Sequence, residues 1–217
     1  MINKIISIEI NDNVIFEIDK NMPIKEDNDY GGYRFKLTAK LSNLRILFSL
    51  DISTGDLITP RAIKYNYKTI LENESINLYT YNYETIIAEK LETVLKRNTT
   101  NSRMKDYYDL YYFATYKWNN IDINLLKKAI NTTFKHRNSQ DYLENFNIII
   151  SNILEDKSLI LRWNKYRKEH AFAKNINFED TIKTIKKYIM DYHKVFIKFR
   201  VRQLIIILLT VFLHNIS

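Results

Sequence analysis

Residues 82–97, NYETIIAEKLETVLKR, and residues 36–53, KLTAKLSNLRILFSLDIS, carry two different periods, and the change from one to the other decides the fold class. In the first stretch Ile87, Leu91, Val94 and Leu95 recur at i, i+4, i+7 and i+8, one stripe of an amphipathic helix. Asn82 stands just ahead of it as an N-cap. In and just before the second stretch Arg34, Lys36, Thr38 and Lys40 alternate with Phe35, Leu37, Ala39 and Leu41, the period of a half-buried strand. Ser42-Asn43 is the two-residue turn that would reverse it.

Working outward, strands are expected at Ile5–Ile10, Val14–Ile18, Tyr33–Leu41 and Leu44–Ser53, with Gly55-Asp56 ending the last. Downstream of residue 82 the period stays helical. A short polar linker, NTTNS, separates the first helix from RMKDYYDLYYFATYK. Asp122 caps a helix with Leu125, Leu126, Ala129 and Ile130 inward. A further helix runs from Asp141 to Leu154. Asn177 and Asp180 open a long one with Ile182, Ile185, Ile189, Tyr192 and Phe196 inward. Strands first and helices after them predict an α+β fold. Its regions are a sheet over residues 1–80, a helical part over 81–197 and an apolar tail over 198–217.

The composition closes several routes. The chain has 217 residues, enough for a substantial core. It has no Cys, which excludes a disulfide framework, a thiolate zinc site and a thiol nucleophile. It has 3 Gly, and no Gly-rich phosphate loop can be read in it. The four histidines show no helical i, i+3 or i, i+4 pair, and there is no G-x-S-x-G element. The net charge of +8 is unevenly placed. Residues 155–202 hold 13 Lys and Arg against 6 Asp and Glu, while the rest hold 20 against 19. A one-sided basic segment suits a polyanion such as RNA, or else serves as a solvated face.

The N-terminus carries Lys4 and Glu9 and alternates, so it does not read as a signal peptide, and a cytoplasmic protein is expected. The apolar run Leu204–Leu213 is about half of the roughly 20 residues a membrane span needs, so membrane insertion is not expected. A buried helix or strand is the plain reading of it and a surface anchor the other. Its abrupt composition also fits an out-of-frame or read-through terminus.

Three clusters carry possible chemistry. Asp51, at the end of a strand with Asp56 after the turn, is placed to hold a hard cation, or is a turn residue beside Gly55. Glu89-Lys90 lies mid-helix, and Lys90 at the edge of the buried stripe can reach a phosphate or simply snorkel. In RMKDYYDLYY, Asp106 and Asp109 share a helix face with Arg103 near it, while Lys105 pairs with Asp109 at i, i+4. The tyrosines of that segment, Tyr107, Tyr108, Tyr111 and Tyr112, read as core packing rather than a base-stacking platform.

In this order SLDISTGDLITP (49–60), YNYETIIAEKLETVL (81–95), NSRMKDYYDLYYFA (101–114), AINTTFKHRNS (129–139) and NFEDTIKTIKKYI (177–189) resemble the AbiEii/AbiGii family of nucleotidyltransferase toxins. The resemblance spans roughly residues 8–195. It implies a nucleotidyltransferase-like fold whose sheet is only partly present here. It also implies a toxin of a toxin–antitoxin or phage abortive-infection pair, with a cognate antitoxin encoded nearby. Such toxins transfer a nucleotide from an NTP to an RNA acceptor, tRNA for some, with Mg²⁺ as cofactor; no DNA partner is implied. Carried over residue by residue, Lys90 stands for the triphosphate-contacting lysine and Asp106 for the late helix aspartate. Arg103 and Lys105 join Lys90 in nucleotide binding. Asp109 and Glu89 support, and Asp51 stands for the third strand carboxylate, catalytic and metal-binding.

One family element has no counterpart. The Gly-Gly or Gly-Ser pair followed about ten residues later by Asp-x-Asp should precede all these segments. Gly31-Gly32 is followed by no such triplet, and Asp27-Asn28-Asp29 lies ahead of the glycines. The expectation is an N-terminally shortened family member that lacks the metal carboxylates and is inactive alone. The alternative is a non-catalytic remnant that binds RNA or antitoxin through its basic helical part.

Overall fold

A computed structural model describes residues 2–24, 31–70 and 74–193. Its contacts divide the chain into two compact units, Met1–Leu57 and Ile58–Ser217.

The first unit is a short helix α1 (Ile2–Ile6) and an antiparallel meander of β1 (Ile15–Ile24), β2 (Gly32–Leu41) and β3 (Leu44–Ser53), in the order β1-β2-β3. The expected hairpin is present: Leu41 lies opposite Leu44. Ser42 takes a φ of 51°, the left-handed backbone that a tight hairpin turn needs at its first central residue. The β1–β2 register shifts between Ile18 and Lys20, and Asp19 in that irregularity accepts the Thr38 hydroxyl at 2.7 Å. Gly32 lets β2 and β3 approach closely, because a Cβ there would stand 3.0 Å from the Ile52 carbonyl oxygen and press on it.

The strand expected at Ile5–Ile10 does not form. Residues 2–6 are helical, and Ser7 closes the turn with its amide on the Asn3 carbonyl and its hydroxyl on the Lys4 carbonyl. Strand alternation over a few residues yields to local bonds when no neighbouring strand takes up the backbone groups. The strand expected at Val14–Ile18 is longer, continuing to Ile24.

The second unit opens with a hairpin of β4 (Ile63–Lys68) and β5 (Ser75–Thr80), which sequence reading did not anticipate. Helices follow: α2 (Tyr83–Arg97), α3 (Met104–Tyr116), α4 (Ile123–His136), α5 (Gln140–Glu144), α6 (Phe146–Glu155), α7 (Lys157–Glu169) and α8 over residues 178–193. With the antiparallel sheet ahead of them the chain is α+β. The single helix expected over 141–154 is two. Asn145 separates them, and its backbone amide at 3.0 Å and its side-chain amide at 2.9 Å both donate to the Asp141 carbonyl, closing the end of the first helix.

The caps fall where expected. Asn82 Oδ1 accepts the Thr85 amide at 2.8 Å, and Asp122 Oδ1 accepts those of Asn124 and Leu125. Ile87, Leu91, Val94 and Leu95 are fully buried, so α2 is the central helix, packed against both α3 and α4. Each such side chain contributes about 1.5–3 kcal/mol on leaving water. The outer layer is pinned by polar tips of buried rings. Trp163 Nε1 donates to the Ile176 carbonyl at 3.1 Å, and the Tyr188 hydroxyl donates to the Leu110 carbonyl at 3.1 Å. Ile182, Ile185, Ile189 and Tyr192 face inward as expected; Phe196 and the 198–217 tail lie outside the described residues.

Candidate functional site

The stripe that buries Ile87 and Leu91 leaves Lys90 at the edge of the α2–α3 seam. On α3, Asp106 and Asp109 stand three residues apart and therefore on one face. The two helices bring all three together. Lys90 Nζ lies 2.8 Å from Asp106 Oδ1 and 2.8 Å from Asp109 Oδ2. Lys105, one turn before Asp109, reaches the same Asp109 Oδ2 at 2.7 Å. Lys90, Asp106 and Asp109 side chains are only 20%, 12% and 14% exposed. Burial works against the Lys90 ammonium, but its bonds to Asp106 and then Asp109 outweigh that and hold its pKa above the ordinary lysine value. It is a fixed positive charge.

Asp106 is not fully used by this network. Its second oxygen, Oδ2, is buried and makes no hydrogen bond. The Tyr107 hydroxyl on the same helix is buried too, and that burial pushes its pKa above the usual phenol value against the opposing pull of the Asn101 side chain. Next to the seam, an open cleft of about 590 Å³ runs between the start of α3 and the face of α7. Arg103, Lys105 and Asp106 line one side and Arg162, Lys165 and Tyr166 the other. Arg162 also donates to the Asn101 carbonyl at 3.1 Å, tying α7 to the loop that precedes α3.

Of the residues singled out from the sequence, Lys90, Asp106, Asp109 and Lys105 form one ion-pair chain, and Arg103 lines the cleft with Asp106. Glu89 turns toward α4 instead: its carboxylate is 3.8 Å from Arg137 at the end of that helix. Asp51 belongs to the first unit. There it faces Arg34 directly across the β2–β3 ladder, and the guanidinium grips both carboxylate oxygens at 2.7 Å. That bond holds the Asp51 carboxyl below its usual pKa. The α7 residues Arg162, Lys165 and Tyr166 were not singled out. The only signal for them was the excess of basic residues after position 155.

These side chains do not fit the divalent cation that the resemblance implies. Among the described residues no three Asp, Glu or His side chains converge as a cation site. Asp106 and Asp109 each bind the Lys90 ammonium, and both Asp51 oxygens are taken by Arg34. Among the described residues no helix is long and apolar enough to cross a membrane.

The chain matches the family described as the nucleotidyl transferase AbiEii toxin of type IV toxin–antitoxin systems, over residues 1–200. Two solved structures from Helicobacter pylori are similar. One, the protein JHP933, is 16% identical, with 91% of this chain and 72% of that one covered and a TM-score of 0.41. The other, a nucleotidyltransferase candidate, is 17% identical, with 85% and 69% covered and a TM-score of 0.39. No curated protein matches the chain.

Proposed function

From the premise that the chain belongs to the AbiEii nucleotidyl transferase toxin family of type IV toxin–antitoxin systems, we propose that its α2–α3 seam binds the phosphates of an NTP for transfer of the nucleotide to an RNA acceptor, with tRNA the first to test. The family implies a cognate antitoxin as its partner.

The single observation that carries this reading is the Lys90 ammonium held by Asp106 and Asp109 beside a cleft lined by Arg103, Lys105, Arg162 and Lys165. In nucleotidyl transfer an acceptor hydroxyl attacks the α-phosphorus and pyrophosphate leaves, so negative charge grows on the phosphate oxygens. Lys90 supplies a compact positive charge to those oxygens, with Arg103 and Lys105 at the cleft wall. Phosphate binding to Lys90 loosens its pair with Asp106, and the released carboxylate is then the group nearest to accept the hydroxyl proton.

In this reading the 217-residue chain binds but does not transfer by itself. Its sequence carries no Gly-Gly or Gly-Ser pair followed by Asp-x-Asp, the carboxylates from which the family's first motif is built. Two assays on the full chain test this. ATP, CTP, GTP and UTP are titrated calorimetrically, and α-labelled NTPs are incubated with bulk tRNA and Mg²⁺. The expected result is NTP binding that Lys90→Ala weakens at least tenfold, and no label on the RNA. Binding that is indifferent to Lys90→Ala overturns the site. Label transfer that disappears in Lys90→Ala or Asp106→Ala overturns the claim of inactivity.

A further inference from the structure

Tyr108, Tyr112 and Tyr116 stand at i, i+4 and i+8 and form one ridge of α3. Their rings follow one another at 6.2 Å and 5.4 Å between centroids. The ridge continues off the helix. Tyr108 meets Phe172 at 4.6 Å, Phe172 stacks on His170 at 5.2 Å, and His170 meets Tyr166 at 4.4 Å. Six aromatic rings thus make a continuous path across the second unit.

The path runs from the edge of the core out to the surface. Tyr108, Tyr112, Tyr166 and His170 are half-buried, Tyr108 and Tyr166 packing against the core, while Tyr116 is 64% and Phe172 57% exposed. Exposed rings on a folded surface mark a contact site. The charges beside it choose the occupant. Lys117 sits at the Tyr112 end, 6.0 Å from that ring's centroid. At the other end Tyr166 enters the cleft with Arg103, Lys105, Arg162 and Lys165. The acids there are already matched: Asp106 and Asp109 by Lys90, Asp109 also by Lys105, and Glu169 by Lys165 at 3.9 Å. The Arg103 guanidinium makes no ion pair among the described residues and is left for an incoming anion.

Flat rings bordered by cations suit a strand that is both a polyanion and a stack of π-faces. Only unpaired bases have faces free to lie on such rings, because those of a duplex are stacked on each other. We propose that the ridge from Tyr116 through Phe172 to Tyr166 is a track for single-stranded RNA, its bases stacked on the rings and its phosphates met by Arg103, Arg162 and Lys165 in the adjoining cleft. The track ends beside the Lys90 cluster. The Tyr166 hydroxyl is pushed up to about 12 by its burial and by the nearby Asp109 and Asp106 carboxylates. The inference rests on the reading that the acceptor is RNA, but it concerns residues outside the Lys90 cluster.

The test is fluorescence anisotropy on the full chain with three labelled probes: an eight-nucleotide single-stranded RNA, an abasic oligomer with the same backbone, and an RNA duplex. The single strand should bind at least tenfold more tightly than the abasic oligomer and more tightly than the duplex, with affinity falling as salt rises. Phe172→Ala and Tyr116→Ala should each weaken the single strand about fivefold or more. Phe172→Leu, which keeps apolar bulk without a ring, should behave like Phe172→Ala, and Phe172→Trp should retain binding. NTP titration of the same variants should match the unaltered chain, which separates failure of the track from failure of the Lys90 site. Equal affinity for the abasic oligomer, or full affinity in Phe172→Ala, overturns the proposal. So does a chain that binds NTP but no RNA at low salt.

Discussion

Lys90 and Asp106 are 16 residues apart in sequence and 2.8 Å apart across the α2–α3 seam, and the bond joins a helix centre to the first turn of its neighbour. The same two atoms hold the seam together and, in the proposed function, meet the substrate. Lys90→Met should cost about 2 kcal/mol in urea unfolding, because it leaves two partly buried carboxylates facing one another. Lys90→Met combined with Asp106→Asn should cost less than the two separate losses, by about 1 kcal/mol or more. Additive losses would show that the pair is not coupled.

The same bond makes a statement about pH. The folded pKa of Lys90 is raised, with burial opposing the charge and the Asp106 and Asp109 pairs outweighing it. A group raised on folding contributes stability that is fully present below its unfolded value, about 10.4 for lysine, and is lost as pH climbs through the folded value. The stability gap between the unaltered chain and Lys90→Met should therefore stay constant from pH 7 to pH 9 and close only in strong alkali. A gap that narrows between pH 7 and pH 9 would contradict the raised pKa.

Arg137 tests a different kind of ion pair. It bonds Glu92 at 2.9 Å, and the Glu92 side chain is 2% exposed. Arg137→Ala should destabilise the chain by about 3 kcal/mol, chiefly by leaving the buried Glu92 charge with only Lys96 at 4.0 Å to balance it. The Lys183–Asp180 pair on α8 is 75% and 38% exposed, and Lys183→Ala should leave the urea midpoint unmoved. Similar midpoint shifts for both would refute the distinction.

Asn82 performs two tasks at the head of α2. Its Oδ1 caps the Thr85 amide at 2.8 Å, and its Nδ2 donates to the Thr59 carbonyl at 2.6 Å. Asn82→Ala should cost about 1–2 kcal/mol. Asn82→Asp retains the cap acceptor and should recover part of that loss. If Asn82→Asp is as damaging as Asn82→Ala, the Thr59 bond carries the stability and the cap does not.

What the sequence disclosed follows the strength of each period. The α2 stripe at Ile87, Leu91, Val94 and Leu95 buries four residues at helical spacing, and all four are buried. Asp122 was legible because a capping side chain acts on amides two and three residues on, within reach of local reading. The β4–β5 hairpin was not legible, since Ile63–Lys68 is an exposed mix of lysine, asparagine and tyrosine with no buried face to impose alternation. Lys90, Asp106 and Asp109 could be picked out one by one, but their meeting depends on the seam between two helices. The reading of the tyrosine repeat as core packing holds for Tyr107, which is buried, and for Tyr108 and Tyr111, which pack against the core, but helical spacing alone does not show where the stripe carries on to the surface at Tyr116. Only Phe172 and Tyr166, far along the chain, show which way that stripe runs.

The bond from Tyr188 to Leu110 has a consequence for the order in which the protein is made. Leu110 lies one turn beyond Asp106, and the residue that seals it follows 78 positions later. On the ribosome α2 and α3 emerge early and can pair, yet the ring that closes their outer side is among the last described parts of the chain to be synthesised. Between the emergence of α3 and that of α8 the Leu110 carbonyl of a nascent chain therefore lacks this bond, and only the arrival of Tyr188 supplies it.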